Sequence, residues 1–389
     1  MSDTLGNKRR GPALIWLMRG LITRWLAKPA RRRAPRYFRV AIVKLDRLGD
    51  GILALGAIRT VLAHYGENNC LLVISPHTES LMAGEFPLVP RLVLPMAVMH
   101  RRLLTQGRAY RAAFGVFLCE DVISLRHQRE DWDELVLLWL GGRRTFVMDP
   151  GPSCPDFTPL RTYSLRQGNR VQFVSAGPAQ VGLCRELERH RQLVAALLGR
   201  PVAAAEILPR FERVGLGAPG GEIVITPFGT MSVRDFPEAL LLDALRVVRR
   251  ETDVPIRLYG DASQGPRLLQ LAQIARVAGI PGVACAEPMG TVTFAATVAG
   301  ARLVLSVDTA TAHLAVAFDR PAVFVIGGGH PDEFVPWGTS VRQIWLTHPL
   351  DCFGCDWKCR HPEPYCITRI TSATMEDAIK RVWASWVPI

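Results

Sequence analysis

The chain has 389 residues, enough for two domains with sizeable cores, and 49% of them are hydrophobic, which excludes an intrinsically disordered protein. The formal net charge of +12 would suit a nucleic-acid-binding protein if it were spread over the chain. Residues 1–40 supply +10 of it, through eleven Lys or Arg against a single acid, Asp3. The remaining body is almost neutral, so no nucleic-acid partner is expected.

The basic N-terminal segment encloses an apolar stretch, residues 13–27, which Arg19 and Arg24 interrupt. It is too short to span a bilayer, which takes about 20 apolar residues, and no small-residue cleavage site follows it. Trp16 and Trp25 with the surrounding basic residues indicate an amphipathic helix. We therefore expect residues 8–36 to contact an anionic membrane surface; packing on the protein or on another subunit is the alternative.

Strands and helices alternate along most of the remaining sequence. Strands are predicted at residues 38–45, 70–75, 114–119, 144–148, 222–227, 255–260, 302–307 and 321–326. Helices are predicted at residues 51–65, 130–140, 183–198, 236–250, 264–278 and 309–318. This order predicts an α/β protein with two doubly wound, Rossmann-like domains whose parallel sheets face a central cleft.

Loop-rich stretches divide the chain, a Pro/Gly/Ser-rich run at 149–160 and a second break at 199–221. The predicted division has a basic amphipathic arm at 1–37 and an N-terminal Rossmann-like domain at 38–200. A C-terminal Rossmann-like domain follows at 201–345, and the cysteine-rich end with a final helix occupies 346–389.

The apolar run 303–307 ends at Asp308 and Thr309, and a small-residue helix carrying His313 follows. In a doubly wound sheet, the free N–H groups at such a helix start face the ligand crevice and favour anions. Asp308 and Thr309 would then cap the helix or hold a ligand hydroxyl. The alternative is an ordinary helix cap followed by a structural histidine.

The turn after the first predicted strand places Asp50 between Gly49 and Gly51. The glycines allow a substrate to approach the carboxylate, and the start of a helix favours its ionised form. These properties suit a general base that takes a proton from a hydroxyl, whereas the alternative is a helix cap. No G-x-G-x-x-G motif is present, so a nicotinamide site is not supported.

Further polar residues follow strands of the second half. Thr226 and Gly229 end one strand, and Arg234 precedes the helix that Pro237 begins. The guanidinium of Arg234 can donate two hydrogen bonds to a phosphate, or it is simply solvated.

Tyr259 and Asp261 end the next strand, a position suited to contacting a ribose or sugar. Met289 precedes another helix, where an apolar side chain can lie on a nucleotide base.

Four of the nine cysteines, Cys352, Cys355, Cys359 and Cys366, fall within fifteen residues. Their spacing suits a tetrahedral structural site for zinc or iron, with His361 as a spare ligand. A pair of disulfides is the alternative, which does not fit a cytosolic enzyme. The other cysteines are scattered, and most have the apolar surroundings of ordinary buried thiols: Cys70, Cys119, Cys154, Cys184 and Cys285.

Four sequence blocks together resemble glycosyltransferase family 9, the bacterial heptosyltransferases. The blocks are the strand and Leu-Gly-Asp turn of 43–50, Arg234-x-Phe-Pro, Asp308-Thr-x-x-x-His-Leu with a following Pro321, and Trp337-Gly. The resemblance covers residues 38–345. It implies a GT-B fold with an acceptor-side N-terminal domain and a C-terminal domain for the nucleotide sugar.

The resemblance also implies inverting transfer of a heptose from ADP-heptose to a hydroxyl, without a catalytic metal. Asp50 would be the base and Arg234 the cation that neutralises the leaving diphosphate. Met289 would lie at the adenine. The remaining residues expected to contact the nucleotide sugar are Thr226, Gly229, Tyr259, Asp261, Asp308, Thr309, Ala310 and His313. Ala310 stands where the family usually has Gly, and Gly56 stands where it often has Pro.

The acceptor implied is a bacterial surface glycan or the lipopolysaccharide core, and the enzyme would be cytoplasmic and peripheral on the inner membrane. A protein O-heptosyltransferase acting on Ser or Thr, and the same fold with another nucleotide sugar, are the alternatives. The cysteine cluster favours the first of these, because the autotransporter protein heptosyltransferases of this family carry a cysteine-bound iron. A non-catalytic metal-binding or nucleic-acid-binding module, whose sugar site has decayed, is the alternative of a different class.

Overall fold

The computed structural model describes residue 26 and residues 30–31, 33–126, 128–149, 171–217, 220–338 and 340–385. Most of the predicted basic arm, as well as Cys154, lies outside these ranges. Within them, no helix combines the length and the apolar character that crossing a membrane requires.

Two six-stranded sheets, parallel at every strand pair, form the framework. The strands of the first sheet are β1 Arg36–Lys44, β2 Cys70–Ile74, β3 Arg91–Val93, β4 Phe117–Ser124, β5 Arg144–Met148 and β6 Val171–Val174. Those of the second are β7 Ile223–Thr226, β8 Ile256–Leu258, β9 Val283–Cys285, β10 Leu303–Val307, β11 Ala322–Val325 and β12 Gln343–Leu346. Their orders, β3-β2-β1-β4-β5-β6 and β12-β11-β10-β7-β8-β9, are doubly wound, which confirms the predicted fold class.

Helices cover both sheets. In the first half they are α1 Leu48–Leu53, α2 Leu55–Tyr65, α3 Glu79–Glu85, α4 Met96–Arg101, α5 Leu103–Ala113, α6 Asp131–Leu140, α7 Arg185–Leu198 and α8 Ala204–Ile207. In the second half they are α9 Glu238–Glu251, α10 Gly265–Val277, α11 Thr291–Gly300, α12 Ala310–Ala317, α13 Tyr365–Thr368 and α14 Ser372–Ala384. The last helix, α14, packs against α9 of the second sheet's helical layer.

The central strands are apolar along their length because helices cover both of their faces. β10 and β11 are buried at every residue, and β1 is buried from Val40 to Lys44. In register, Val40 of β1 lies beside Cys70 of β2 on one side and beside Asp121 of β4 on the other.

The two halves of the molecule meet where α1 packs against α12. A Cβ on Gly49 would lie 3.1 Å from Cδ2 of His313, so a glycine at this position lets the two helices approach closely. A second link joins the start of α7 to the loop after β11. There, the backbone N–H groups of Arg185 and Glu186 donate to the carbonyls of Asp332 and Glu333. These contacts fix the two sheets on either side of a central cleft.

Several elements differ from their predicted bounds. The strand predicted at 114–119 begins only at Phe117, because residues 114–116 form a 3₁₀ turn. The strands β3, β6, β9 and β12 were not predicted. The stretch 199–221, predicted as loose, contains the short helix α8, which packs on α2 and α7.

Candidate active site

A cavity of about 770 Å³ lies in the cleft and is lined from both halves of the molecule. The second sheet contributes residues after β7, β8 and β10, which is where doubly wound proteins bind ligands. The residues of this cavity named in the sequence analysis are Thr226, Gly229, Tyr259, Asp261, Met289, Thr309 and Ala310. The first half contributes Arg47, Leu48, Pro76 and His77.

A chain of hydroxyl groups joins two strand ends at the base of this cavity. The hydroxyl oxygens of Thr226 and Ser306 lie 2.6 Å apart, and those of Ser306 and Thr309 lie 3.1 Å apart. Ser306 is fully buried inside the run that the sequence shows only as apolar strand, and it was not predicted. The chain fixes the end of β7 against the start of α12.

The start of α12 lies open to the cavity. Thr309 is its N-cap residue, but the side chain makes no capping hydrogen bond, contrary to one of the two predicted roles. Ala310 and Thr311, the first helical residues, line the cavity. Unsatisfied N–H groups at a helix start attract anions such as a phosphate.

Arg234 and Asp308 lie together near this helix start. Nη1 of Arg234 is 3.8 Å from Oδ2 of Asp308, and the two side chains are 22% and 17% exposed. Burial lowers the pKa of Arg234, and the positive charge of Arg47 lowers it further. The negative charge of Asp308 acts in the opposite direction and raises this pKa. Burial also raises the pKa of Asp308, against the opposing charges of Arg234 and His330.

Arg47 is therefore a second cation of the site, contributed by the first half. Its side chain is exposed and lines the cavity. Among the described residues no ion pair is formed by Arg47. Two arginines that approach from opposite sides of a cleft suit a ligand with two phosphate charges. No pattern in the sequence distinguishes Arg47 within its motif.

Asp50 lines a neighbouring pocket of about 410 Å³. Arg47, Pro76 and His77 line both this pocket and the larger cavity, so the two spaces adjoin. The remaining lining of the pocket comes from the first half: Leu45, Asp46, Ser75, Pro95, Met96 and Arg126. Asp50 thus faces a space distinct from the one that the predicted nucleotide-sugar residues surround.

The pKa of Asp50 is raised, chiefly by burial. The positive charge of Lys44 opposes the rise, whereas the negative charges of Asp46 and Glu186 add to it. From the sequence, the helix start was expected to favour the ionised form. That expectation was wrong in its net effect, because burial outweighs the field of a helix of only six residues.

A buried ionic network surrounds this carboxylate. Nζ of Lys44 lies 3.0 Å from Oε1 of Glu186 and 3.1 Å from Oδ2 of Asp46, and it donates to the carbonyl of Leu125. Nε of Arg126 lies 2.6 Å from Oδ1 of Asp46. Sequence reasoning missed this network because Glu186 lies 142 residues beyond Lys44.

Two predicted sugar contacts have their polar groups engaged within the protein. The hydroxyl of Tyr259 donates to Glu222 in a short hydrogen bond. The carboxylate of Asp261 accepts from the backbone N–H groups of Ser263 and Gln264, capping the 3₁₀ turn 262–264. Met289, by contrast, is 39% exposed and is available to a ligand in the cavity.

His313 is buried between the two halves. Its Nδ1 accepts a hydrogen bond from Nε1 of Trp337, and the ring lies against Gly49. Burial lowers the pKa of His313 to about 4. The ring is not among the residues that line the cavity, so its contact with a nucleotide sugar remains a prediction.

The four clustered cysteines lie in the segment that follows β12. Burial raises the pKa of Cys359, and the neighbouring charges of Cys355, Cys366 and Cys352 raise it further. The donor set suits a tetrahedral site for a soft metal ion. Nevertheless, within the part of the chain that the structure describes, no three His, Cys, Asp or Glu side chains are arranged to hold an ion. The metal therefore remains a prediction.

Residues 187–359 match the profile of "Glycosyltransferase family 9 (heptosyltransferase)". The match covers less than half of the chain. Lipopolysaccharide heptosyltransferase 1 of Pseudomonas aeruginosa is 30% identical over 173 residues, which are 43% of this chain and 46% of that protein. The chain thus matches about half the length of this relative.

Two solved structures extend the similarity of fold over most of the molecule. Escherichia coli heptosyltransferase WaaC with ADP-2-deoxy-2-fluoro heptose has a TM-score of 0.62 at 20% identity, covering 88% of this chain and 99% of WaaC. A family 9 glycosyltransferase from Veillonella parvula has a TM-score of 0.66 at 13% identity, covering 92% of this chain and all of that one. The GT-B fold expected from the motifs is therefore confirmed.

Proposed function

We propose that the protein is an inverting glycosyltransferase that transfers a heptose from an ADP-heptose-like donor to a hydroxyl of a bacterial surface glycan or the lipopolysaccharide core. One observation carries the proposal. The pocket that contains Asp50 adjoins the cleft cavity at Arg47, so an acceptor and a donor can meet there.

On the donor side, the proposed diphosphate position lies among the start of α12, Arg234 and Arg47. The exposed side chain of Met289 would contact the base. The other residues that line the cavity would contact the sugar and the ribose. Arginines and backbone N–H groups are rigid donors that stabilise phosphate charge well. WaaC, with which the chain shares its fold, is described with an ADP-heptose analogue.

On the acceptor side, the proposed base is Asp50. Its carboxylate takes the proton from the acceptor hydroxyl while that oxygen forms a bond to the anomeric carbon. The bond from this carbon to the diphosphate breaks, and its electron pair leaves on the phosphate oxygen. Arg234 and Arg47 would stabilise the negative charge that develops on this oxygen. Because the hydroxyl attacks opposite the leaving group, the anomeric centre is inverted.

The proposal needs no catalytic metal, and the thiols of the cysteine cluster would hold a structural zinc or iron ion. We further propose that the enzyme works in the cytoplasm at the inner membrane. Residues 8–36 of the basic arm would hold it there near a membrane-embedded acceptor.

The test begins with titration of the full chain against ADP, UDP, GDP and NAD. Selective binding of ADP supports the proposal, and preference for UDP or GDP would replace heptose by another sugar. Binding of none would contradict a nucleotide-sugar enzyme. Transfer from ADP-heptose is then measured to a truncated lipopolysaccharide core and, in parallel, to a Ser/Thr-containing surface protein; transfer to the protein alone would favour the alternative acceptor.

A further inference from the structure

The segment containing the first three clustered cysteines packs on three successive glycines that follow β11. A Cβ on Gly327 or on Gly329 would overlap the ring of Trp357, and a Cβ on Gly328 would overlap the ring of Phe353. The absence of three side chains therefore allows both aromatic rings to lie directly on the backbone. We call residues 352–359 the cysteine loop.

Hydrogen bonds fix the cysteine loop in this place. The backbone N–H of Gly354 donates to the carbonyl of Gly328, and that of Asp356 donates to Gly329. Oδ1 of Asp356 lies 2.8 Å from Nε2 of His330. Asp356 and Trp357 both have positive φ angles, 51° and 59°, which non-glycine residues rarely adopt without such support.

The cysteine loop carries Trp357 to Arg234. The guanidinium carbon of Arg234 lies 4.2 Å from the centre of the Trp357 ring, which is 9% exposed. Nε of Arg234 is buried and has no hydrogen-bond partner among the described residues, and Asp308 lies at 3.8 Å, beyond hydrogen-bond distance. The indole face is thus in direct contact with the guanidinium, on which Asp308 acts only through its charge.

We propose that Trp357 is a positioning residue that holds Arg234 toward the diphosphate of the donor. The proposal rests on the function proposed above and adds to it a link between the cysteine loop and the nucleotide site. A partly desolvated cation–π contact of this kind corresponds to about a tenfold change in affinity. Damage to the cysteine loop would therefore weaken nucleotide binding through Arg234.

The test is the Kd of ADP, measured by calorimetry on the full chain and on five variants. Trp357→Met keeps apolar volume without a ring, and we expect it to weaken binding about tenfold. Trp357→Phe restores an aromatic face and most of the affinity. Arg234→Ala weakens binding, and adding Trp357→Met to it causes no further loss. Trp345→Leu removes a tryptophan that packs on Phe324 elsewhere in the same half, and it retains wild-type affinity.

Three outcomes would overturn the proposal. In the first, Trp357→Met binds ADP as the wild type does although Arg234→Ala is impaired, which leaves the proposed function intact. In the second, the two changes weaken binding additively, so Trp357 acts independently of Arg234. In the third, the wild type binds no nucleoside diphosphate, and the proposed function fails as well. If Trp357→Met does not fold, Trp357→Phe is measured in the wild type and in the Arg234→Ala variant. Any loss of ADP affinity that Trp357→Phe causes in the wild type must then be absent in the Arg234→Ala variant.

Discussion

Nε1 of Trp337 donates a hydrogen bond to Nδ1 of His313 over 3.0 Å. Because the indole N–H can only donate, Nδ1 of the imidazole must be unprotonated, and the proton of the neutral ring lies on Nε2. The ring fills the contact between α1 and α12, where Gly49 leaves room for it. Protonation of Nδ1 would break this hydrogen bond at the point where the two halves meet.

The first prediction concerns the stability of the protein at acidic pH. The pKa of His313 is about 4 in the folded protein against 6.5 for the free residue. Because the pKa of His313 is lower in the folded protein, the stability that the neutral ring contributes depends on pH. This contribution is complete above pH 6.5 and is lost as the pH falls towards 4. Between pH 7.5 and pH 5 the free energy of unfolding should fall by about 2 kcal/mol through this group.

Urea unfolding at the two pH values checks the His313 prediction. His313→Gln keeps a hydrogen-bond acceptor without a titrating ring, so it should lose about 2 kcal/mol less than the wild type between pH 7.5 and pH 5. His64→Gln removes an exposed histidine and should retain the wild-type difference. An equal difference in all three proteins would show that His313 is not buried in its neutral form.

The second prediction concerns Asp50. Replacing it by Asn removes the proton acceptor and should lower kcat by at least about 100-fold, with the Kd of ADP nearly unchanged. Because burial raises the pKa of Asp50, kcat/KM of the wild type should fall with decreasing pH at a midpoint above 3.8. An active Asp50→Asn enzyme would exclude the carboxylate as the base.

The third prediction concerns the two cations of the cleft. Arg47→Ala and Arg234→Ala should each weaken ADP binding about tenfold and AMP binding much less, because ADP carries the additional phosphate charge. Arg276→Ala, an exposed arginine at the end of α10, is the control and should bind ADP normally. Equal losses for ADP and AMP would mean that the arginines do not contact the second phosphate.

The outline of the site could be predicted because its key side chains immediately follow strands. Asp308 directly follows β10, and Asp50 lies in the first helix after β1; the winding of an α/β sheet places such residues in the cleft. Trp357 could not be found in this way. Its contact with Arg234 depends on a cysteine loop that packs on three glycines, and neither feature has a periodic pattern.

Local sequence also could not reveal which polar groups are already engaged. Asp261 and Tyr259 occupy positions that suit sugar contacts, yet Asp261 caps a turn and Tyr259 bonds to Glu222. Likewise, the net pKa shift of Asp50 depends on burial and on Glu186, which is distant in sequence. Such effects belong to tertiary packing rather than to local sequence.

The fourth prediction concerns the proposed metal. The purified full chain should contain about one equivalent of zinc or iron, which Cys355→Ser should lose together with some thermal stability. Cys285→Ser, a cysteine outside the cluster, is the matched control and should keep the ion. Elemental analysis of the three proteins decides the matter: metal content that does not change in Cys355→Ser would contradict a site formed by the cysteine cluster.

The fifth prediction tests the coupling of Lys44 to Asp50. Lys44→Met leaves Glu186 and Asp46 without their buried cation, which should cost about 3–5 kcal/mol of stability. Because the charge of Lys44 lowers the pKa of Asp50, the acid midpoint of kcat/KM should also move to higher pH in the variant. Lys358→Met, which removes an exposed lysine paired with Asp356, should change neither quantity appreciably. If Lys44→Met is destabilised but the acid midpoint of kcat/KM does not move, Lys44 contributes to folding alone and does not influence the chemistry of Asp50.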